Sequence, residues 1–260
     1  MNRHRFSQSE LEQYQSLGFC VRSAAFGVEE IDRLQTVVHE VVEQACLAAL
    51  QGENYHLDGK RFCDTKHYTV QFEFGQNLTE PRVIEPIYDA HPLFASLVDD
   101  PRFTDPIRSI LHQDQLALWT AKLNLKCAGG NGFGWHQDSP YWIHDSNHVD
   151  LLPNVMLLLG DQSELNGCFK LIPGSHHQGV LPGTTDGSQL GGFYTDPDTF
   201  DESTVYHCEH QAGSLVFFNP HIIHGSGPNT SDAARPALIY TYQPAGYPTL
   251  KTKTLREVAG

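Results

Sequence analysis

Leu116-Ala117-Leu118-Trp119-Thr120-Ala121-Lys122-Leu123-Asn124-Leu125-Lys126-Cys127 runs into a glycine-rich turn and then into Trp135-His136-Gln137-Asp138. The first twelve residues alternate. Ala117, Trp119, Ala121, Leu123 and Leu125 share one face, and Leu118, Thr120, Lys122, Asn124 and Lys126 share the other. A period of two predicts a strand with one apolar and one polar face. Gly129, Gly130, Gly132 and Gly134 turn the chain, so that a second extended segment carries His136 and Asp138 on one side.

Outward from this stretch the pattern repeats. Short apolar runs at 155–159, 168–172, 214–218, 222–224 and 237–242 are strand candidates separated by Gly, Pro and Asn turns. Towards the N-terminus, Ser7 and Glu10 have capping-box spacing, and Gly18 closes the helix they open. A strand is expected at 19–26 and a long helix at 28–52, with Ile31, Leu34, Val38, Val41, Val42, Ala45 and Ala49 near helical spacing. Residues 53–90 read as irregular and polar, and 101–111 as another helix. Residues 173–206, rich in Gly, Pro, Ser, Thr and Asp, read as a long loop of the kind that often covers a site. The expectation is one mainly β domain over 1–260: a largely helical support region at 1–112, then a barrel or sandwich at 113–250 with the 173–206 loop inserted.

Composition narrows the function. Forty per cent of the 260 residues are apolar and 18% charged, as in an ordinary globular protein with a core. A net charge of -14 argues against nucleic acid and anionic membrane surfaces as partners. It leaves the local charge of a site open. The six cysteines show no C-x-x-C pair, and the first residues lack an export-type apolar run, so reduced thiols and a cytoplasmic location are expected. No stretch is long and apolar enough to span a membrane as a helix.

Among 15 histidines, H-x-D occurs four times: His56/Asp58, His112/Asp114, His136/Asp138 and His148/Asp150. Only the third follows a glycine turn and lies among large aromatics (Trp135, Tyr141, Trp142). On spacing alone it is either a metal-ligand pair or a structural hydrogen-bonding pair. Further on, His221 and His224 lie three apart. In an extended segment they face opposite ways, and His224, followed by Gly225, is the better ligand candidate, with His221 a strand-start or surface histidine. Two imidazoles and a carboxylate can hold an iron ion and leave positions open. Between Lys126 and Lys251 the only basic residues are Lys170 and Arg235. Arg235 leads into an apolar strand and needs an anion, either a nearby acid such as Asp232 or a substrate carboxylate gripped in bidentate fashion.

Together these segments resemble the phytanoyl-CoA dioxygenase family of iron(II)- and 2-oxoglutarate-dependent oxygenases. The matching motifs are Trp135-His136-Gln137-Asp138, Asn166-Gly167-Cys168, Ile172-Pro173-Gly174-Ser175-His176 and His224-Gly225-Ser226-Gly227-Pro228-Asn229 leading to Arg235. The resemblance covers most of the chain. It implies a double-stranded β-helix (jelly-roll, cupin-like) core packed against N-terminal helices. It implies His136, Asp138 and His224 as iron(II) ligands and Arg235, with Ser226 nearby, as the 2-oxoglutarate site. Asn124 and Gln137 are further cosubstrate candidates, and Trp135, Tyr141, Trp142 and Met156 candidate pocket walls. Met156 stands where several relatives carry tryptophan, which implies a different pocket shape, and no basic patch suited to coenzyme A is evident. His176 and His177 read as scaffold. The implied reaction is oxidation of a small molecule with O2, with 2-oxoglutarate converted to succinate and CO2. Asp138 occupies the position that a halogenase keeps open, which favours hydroxylation. Two other readings of the residues are a zinc-dependent hydrolase, which leaves Arg235 without a role, and a non-catalytic β-barrel binding protein.

Overall fold

The structure is a computed structural model that describes residues 4–75, 79–185 and 187–259. It opens with α1 (Gln8–Leu17), β1 (Phe19–Arg22) and α2 (Val28–Ala49). Ser7 and Glu10 form the expected capping box: the Ser7 N–H donates to Glu10 Oε2 at 2.7 Å and the Glu10 N–H to Ser7 Oγ at 3.3 Å. Gly18, at φ 84°, closes α1 as glycine can without steric cost. Helix α2 buries Ile31, Leu34, Val38, Val41, Ala45 and Ala49 along one stripe.

Residues 53–90, expected to be irregular, hold four strands: β2 (Glu53–Leu57), β3 (Lys60–Asp64), β4 (Thr69–Phe72) and β5 (Pro81–Glu85). Strand β2 is solvent-exposed over most of its length, so no apolar alternation marks it. The turn was visible as Asp58-Gly59. Both residues have positive φ (48° and 73°) and join Leu57 to Lys60 in a two-residue hairpin. Over the first 112 residues the described helices hold more residues than the strands, but the strands extend the large sheet into this region. After α3 (Pro92–Leu97) and α4 (Pro101–Leu111) come β6 (Leu116–Asn124), β7 (Phe133–His136), α5 (Ser139–Trp142), β8 (Asn154–Leu158), β9 (Phe169–Leu171), β10 (Tyr206–Cys208), β11 (Leu215–Phe218), β12 (His224–Ser226) and β13 (Ala237–Pro244).

Two antiparallel sheets face each other in a jelly-roll. The larger runs β1-β11-β8-β13-β6-β5-β4-β3-β2 and the smaller β10-β9-β12-β7. One core lies between the large sheet and the helices, from Tyr14 on α1 to Tyr242 on β13. A second lies between the sheets, where Met156, Phe169, Leu171, Phe218 and Ile239 meet. The functional cavity opens beside this second core.

Strand β6 departs from strict alternation. Thr120 pairs with Thr241 but Leu118 with Tyr242, so Trp119 is an extra residue in the ladder. A bulge flips the face on which later and earlier residues lie. Leu118, Ala121 and Leu123 all enter the helix-side core, whereas Trp119 packs on Trp142 and Leu152 beside the cavity. The expected apolar face thus holds only on the C-terminal side of Trp119.

Strand β12 begins at His224 rather than at 222. The N–H of His221 donates to Asn219 Oδ1 at 2.9 Å and that of Ile222 to Asn219 O at 3.1 Å, so the preceding residues form a turn. No disulfide joins the cysteines among the described residues, and no described helix is long and apolar enough to cross a membrane.

Candidate active site

His136 ends β7 and His224 begins β12, and the two residues are directly paired across the smaller sheet. Their ring centroids are 4.2 Å apart. Asp138 follows two residues later, where its N–H donates to Pro220 O at 3.1 Å and fixes the exit from the strand. One ligand atom from each of His136, Asp138 and His224 lies within 4.8 Å of the others, and His224 Nε2 is 4.0 Å from Asp138 Oδ2.

The surrounding bonds set the donor atoms. His136 Nδ1 lies 2.7 Å from Gly134 O and His224 Nδ1 3.0 Å from Ile222 O. A carbonyl can only accept, so each Nδ1 carries the proton and each Nε2 presents its lone pair inward. Burial, and then the neighbouring His224 ring, pushes the His136 imidazole down to about 3. Burial likewise lowers His224. Both are neutral, as ligands must be. Burial alone would raise the Asp138 carboxyl, but Lys122, the two imidazoles and Asn154 hold it below its ordinary value. Asn154 Nδ2 donates to Asp138 Oδ2 at 2.9 Å, and Lys122 Nζ stands 3.6 Å from Oδ1. Two neutral imidazoles and one oriented carboxylate fit a divalent first-row ion such as iron(II).

The same cavity, about 490 Å³, reaches Arg235. The Arg235 N–H donates to Lys126 O at 2.8 Å, which fixes its place at the entry to β13. Arg235 is 6% exposed, and among the described residues its guanidinium donates only to Asn166 O, through Nε at 3.3 Å. Among the described residues no carboxylate pairs with it, so the alternative partner Asp232 does not fill that role. Burial pushes the guanidinium down to about 10. Beside it, Lys126 donates to Ser226 Oγ at 2.7 Å and to Gly227 O. Burial, then Arg235 and Arg82, pushes Lys126 down to about 6. Asn124 lines the same wall, and its Oδ1 is buried without a hydrogen-bond partner. A buried cation facing a cavity without an anion is costly, and a carboxylate in that cavity would relieve it.

Tyr141, Trp142 and Met156 line the cavity. Tyr141 stacks on Phe193 at 4.5 Å and meets the His136 ring edge-on at 5.9 Å. Trp135 and Gln137 do not line it. Trp135 points away, bonding Glu202 through Nε1 and packing on Phe200 at 5.7 Å. Gln137 is fully used elsewhere: it donates to Gly179 O and His221 O at 2.7 and 2.6 Å and accepts from Leu181 N at 2.8 Å. Adjacent strand residues face opposite ways, so a side chain between two ligands points out of the site. Gln137 instead ties the 173–206 loop to the scaffold. His221 is neither strand-start nor surface. It is buried, with Nδ1 2.8 Å from Ser139 Oγ and Nε2 2.6 Å from Asp150 Oδ1. Asp150 belongs to one of the rejected H-x-D pairs, which thereby has a structural role.

Sequence reasoning passed over Lys122, Lys126, Asn154 and Tyr194. Both lysines lay on the polar face of the quoted strand, where a lysine ordinarily turns to solvent. Tyr194 comes from the long loop, where it bridges to His136 and rests against Gly134, whose added Cβ would be 3.0 Å from the ring.

Comparisons with known proteins bear on the family and the fold. The pattern of the phytanoyl-CoA dioxygenase (PhyH) family matches residues 14–237. A 2-aminoethylphosphonate dioxygenase from Uncultured bacterium HF130_AEPn_1 is 31% identical over 134 residues, 52% of this chain and 48% of that protein. The match thus spans about half the length of that relative. An ectoine dioxygenase from Bordetella bronchiseptica is 25% identical over 255 residues, 91% of this chain and 75% of that one. The crystal structure of EctD from S. alaskensis with 2-oxoglutarate and 5-hydroxyectoine superposes with a TM-score of 0.71 at 21% identity, covering 94% of this chain and 78% of the other. Fold and family define the class, that of the 2-oxoglutarate-dependent non-haem iron dioxygenases. The chain belongs to the phytanoyl-CoA dioxygenase family.

Proposed function

We propose that the protein hydroxylates a small molecule at the expense of O2 and 2-oxoglutarate, releasing succinate and CO2. His136, Asp138 and His224 would hold iron(II), which when bound supplies O2 activation coupled to decarboxylation. Arg235, supported by Ser226 and Lys126, would take the distal carboxylate of 2-oxoglutarate, and Asn124 would bond the cosubstrate between that end and the metal. Asn154 and Lys122 orient the Asp138 carboxylate. Tyr141, Trp142 and Met156 would wall the substrate side, with Tyr194 and Phe193 of the 173–206 loop limiting water entry. Retention of Asp138 as third ligand supports hydroxylation over halogenation. One dioxygenase domain over the whole chain is supported by the core that joins Tyr14 to Tyr242, and a cytoplasmic location by cysteines that form no disulfide.

The observation that carries this reading is Arg235, which is buried, lies in the cavity that holds the triad, and pairs with no carboxylate among the described residues. Anaerobic addition of iron(II) and 2-oxoglutarate should produce the weak visible charge-transfer band of a chelated complex. Asp138→Ala should abolish it, and Arg235→Gln should raise the 2-oxoglutarate concentration needed by roughly 10- to 100-fold, the worth of a charge-assisted bidentate pair. A wild-type protein that binds iron(II) but shows no band would refute the proposal.

A further inference from the structure

The charge of the cavity is opposite to that of the molecule. Acidic residues outnumber basic ones 31 to 17 over the whole chain. Around the cavity seven basic side chains face three acidic ones, Glu85, Asp138 and Asp145. Several of these cations are already committed. Arg82 is paired with Glu73 at 2.9 Å, Lys253 with Asp145 at 2.8 Å, and Arg235 and Lys126 belong to the cosubstrate end in the reading above. Lys60, Lys122 and Lys251 remain.

Lys122 projects from β6 two residues before Asn124, on the same face. Its Nζ lies 5.1 Å from the Trp142 ring centroid and 3.6 Å from Asp138 Oδ1. Asp138 is its close counter-charge, and Glu85 a more distant one that already accepts from Thr120 Oγ1 at 2.6 Å. In the dioxygenase reading a divalent metal shares the Asp138 charge, which leaves Lys122 under-neutralised in a half-buried position. Lys60 approaches from β3. Its Nζ donates to Tyr194 Oη at 2.7 Å and lies 5.1 Å from that ring's centroid, and no described carboxylate pairs with it. With one dicarboxylate and one divalent ion bound, which cancel, the cavity still carries excess positive charge. A low-dielectric pocket with such an excess favours an anionic occupant.

Resting on the dioxygenase reading, we propose that the prime substrate is a small oxyanion, carrying a carboxylate, phosphonate or phosphate group, which Lys122 and Lys60 receive. The anionic group sits at the lysines, and the carbon to be oxidised lies between Tyr141 and the triad. Lys122 is then the specificity-determining residue: it reads charge on the substrate while it steadies Asp138.

The test uses the full chain loaded with manganese(II) and saturated with 2-oxoglutarate, so that the Arg235 end is occupied. Butyrate and propylphosphonate are titrated against butyramide, the neutral match to butyrate, by calorimetry. The acids are expected to bind at least about tenfold more tightly than the amide, as a charge-assisted contact of about 1.5 kcal/mol or more implies. Lys60→Gln should weaken both acids several-fold with 2-oxoglutarate affinity unchanged, and Lys122→Gln should remove the preference over the amide. A preference for propylphosphonate over butyrate would assign the phosphorus oxyanions, and the reverse order the carboxylates. Equal binding of acid and amide by the wild-type protein, or an acid preference that survives both substitutions, would overturn the proposal. The charge-transfer band is read separately, so a protein that shows the band but no acid preference keeps its class and loses only this substrate assignment.

Discussion

Arg235 and Lys126 occupy one buried corner where, among the described residues, no carboxylate pairs with either, and the free protein bears the cost. A lysine in water titrates near 10.4, whereas burial first and Arg235 next bring Lys126 to about 6. Between those values the unfolded chain holds a proton that the folded chain lacks. The stability of the free protein therefore rises with pH through that window and is reduced below it. A bound dicarboxylate reverses the local balance and favours the protonated amine. Binding of 2-oxoglutarate should then take up a proton, and its affinity should fall as pH rises above 6, by up to tenfold per unit for a single proton. Calorimetry in buffers of different ionisation enthalpy measures that uptake, and Lys126→Met should flatten the profile. A pH-independent affinity with no proton uptake would count against a carboxylate beside Lys126. The sequence marked Arg235 because it was the lone arginine of a long span. It could not mark Lys126, since a lysine on the polar face of a strand ordinarily reaches solvent, and only the second sheet closes over this one.

At the level of elements, the site depends on where backbones touch. Gly167 has φ +67°, and a Cβ there would sit 2.2 Å from Gly227 O and 2.7 Å from Pro228 O, both backbone atoms that cannot rotate away. Gly167→Ala should cost about 2–4 kcal/mol, which for a chain of this size lowers Tm by roughly 5–15 °C. It should also weaken 2-oxoglutarate binding, because the displaced segment joins Ser226 to Arg235. Gly246, at φ +90° with nothing within 4 Å of an added Cβ, is the control: Gly246→Ala should cost only the backbone term, about 1–2 kcal/mol. Equal losses in the two variants, measured by thermal unfolding, would show that the close approach at Gly167 is unimportant. Elements were legible where pattern and caps agreed, as in α1, α2 and α4. They were lost at the β2–β3 hairpin, where exposed β2 and mostly half-buried β3 carry no apolar alternation to announce them. They were misphased at Trp119, because one inserted residue exchanges the faces of a strand and leaves its composition unchanged.

For the whole molecule, the two sheets bring separate sequence regions to one cavity, and ligands that bridge them should tighten the fold. Manganese(II) and 2-oxoglutarate, each at about 100 times its dissociation constant, should together add roughly 5.4 kcal/mol before coupling, about 2.7 kcal/mol from each, a rise in Tm of roughly 11–22 °C. Chelation of the metal should reverse the rise. A combined shift no larger than the sum of those with each ligand alone, in scanning fluorimetry, would mean that the two do not couple at one site. The sequence by itself determined the β-rich class, the capped N-terminal helices, and three candidate metal ligands with a distant arginine, because periodicity, capping and rare residue types are local properties of a chain. Only the tertiary structure decided that His136 and His224 pair across two strands, that Gln137 and Trp135 turn away, and that Lys60, Lys122 and Lys126 converge on the same cavity. Those outcomes depend on register, on a single bulge and on what packs over each face. Contacts between strands far apart in the chain set all three, and no local pattern records them.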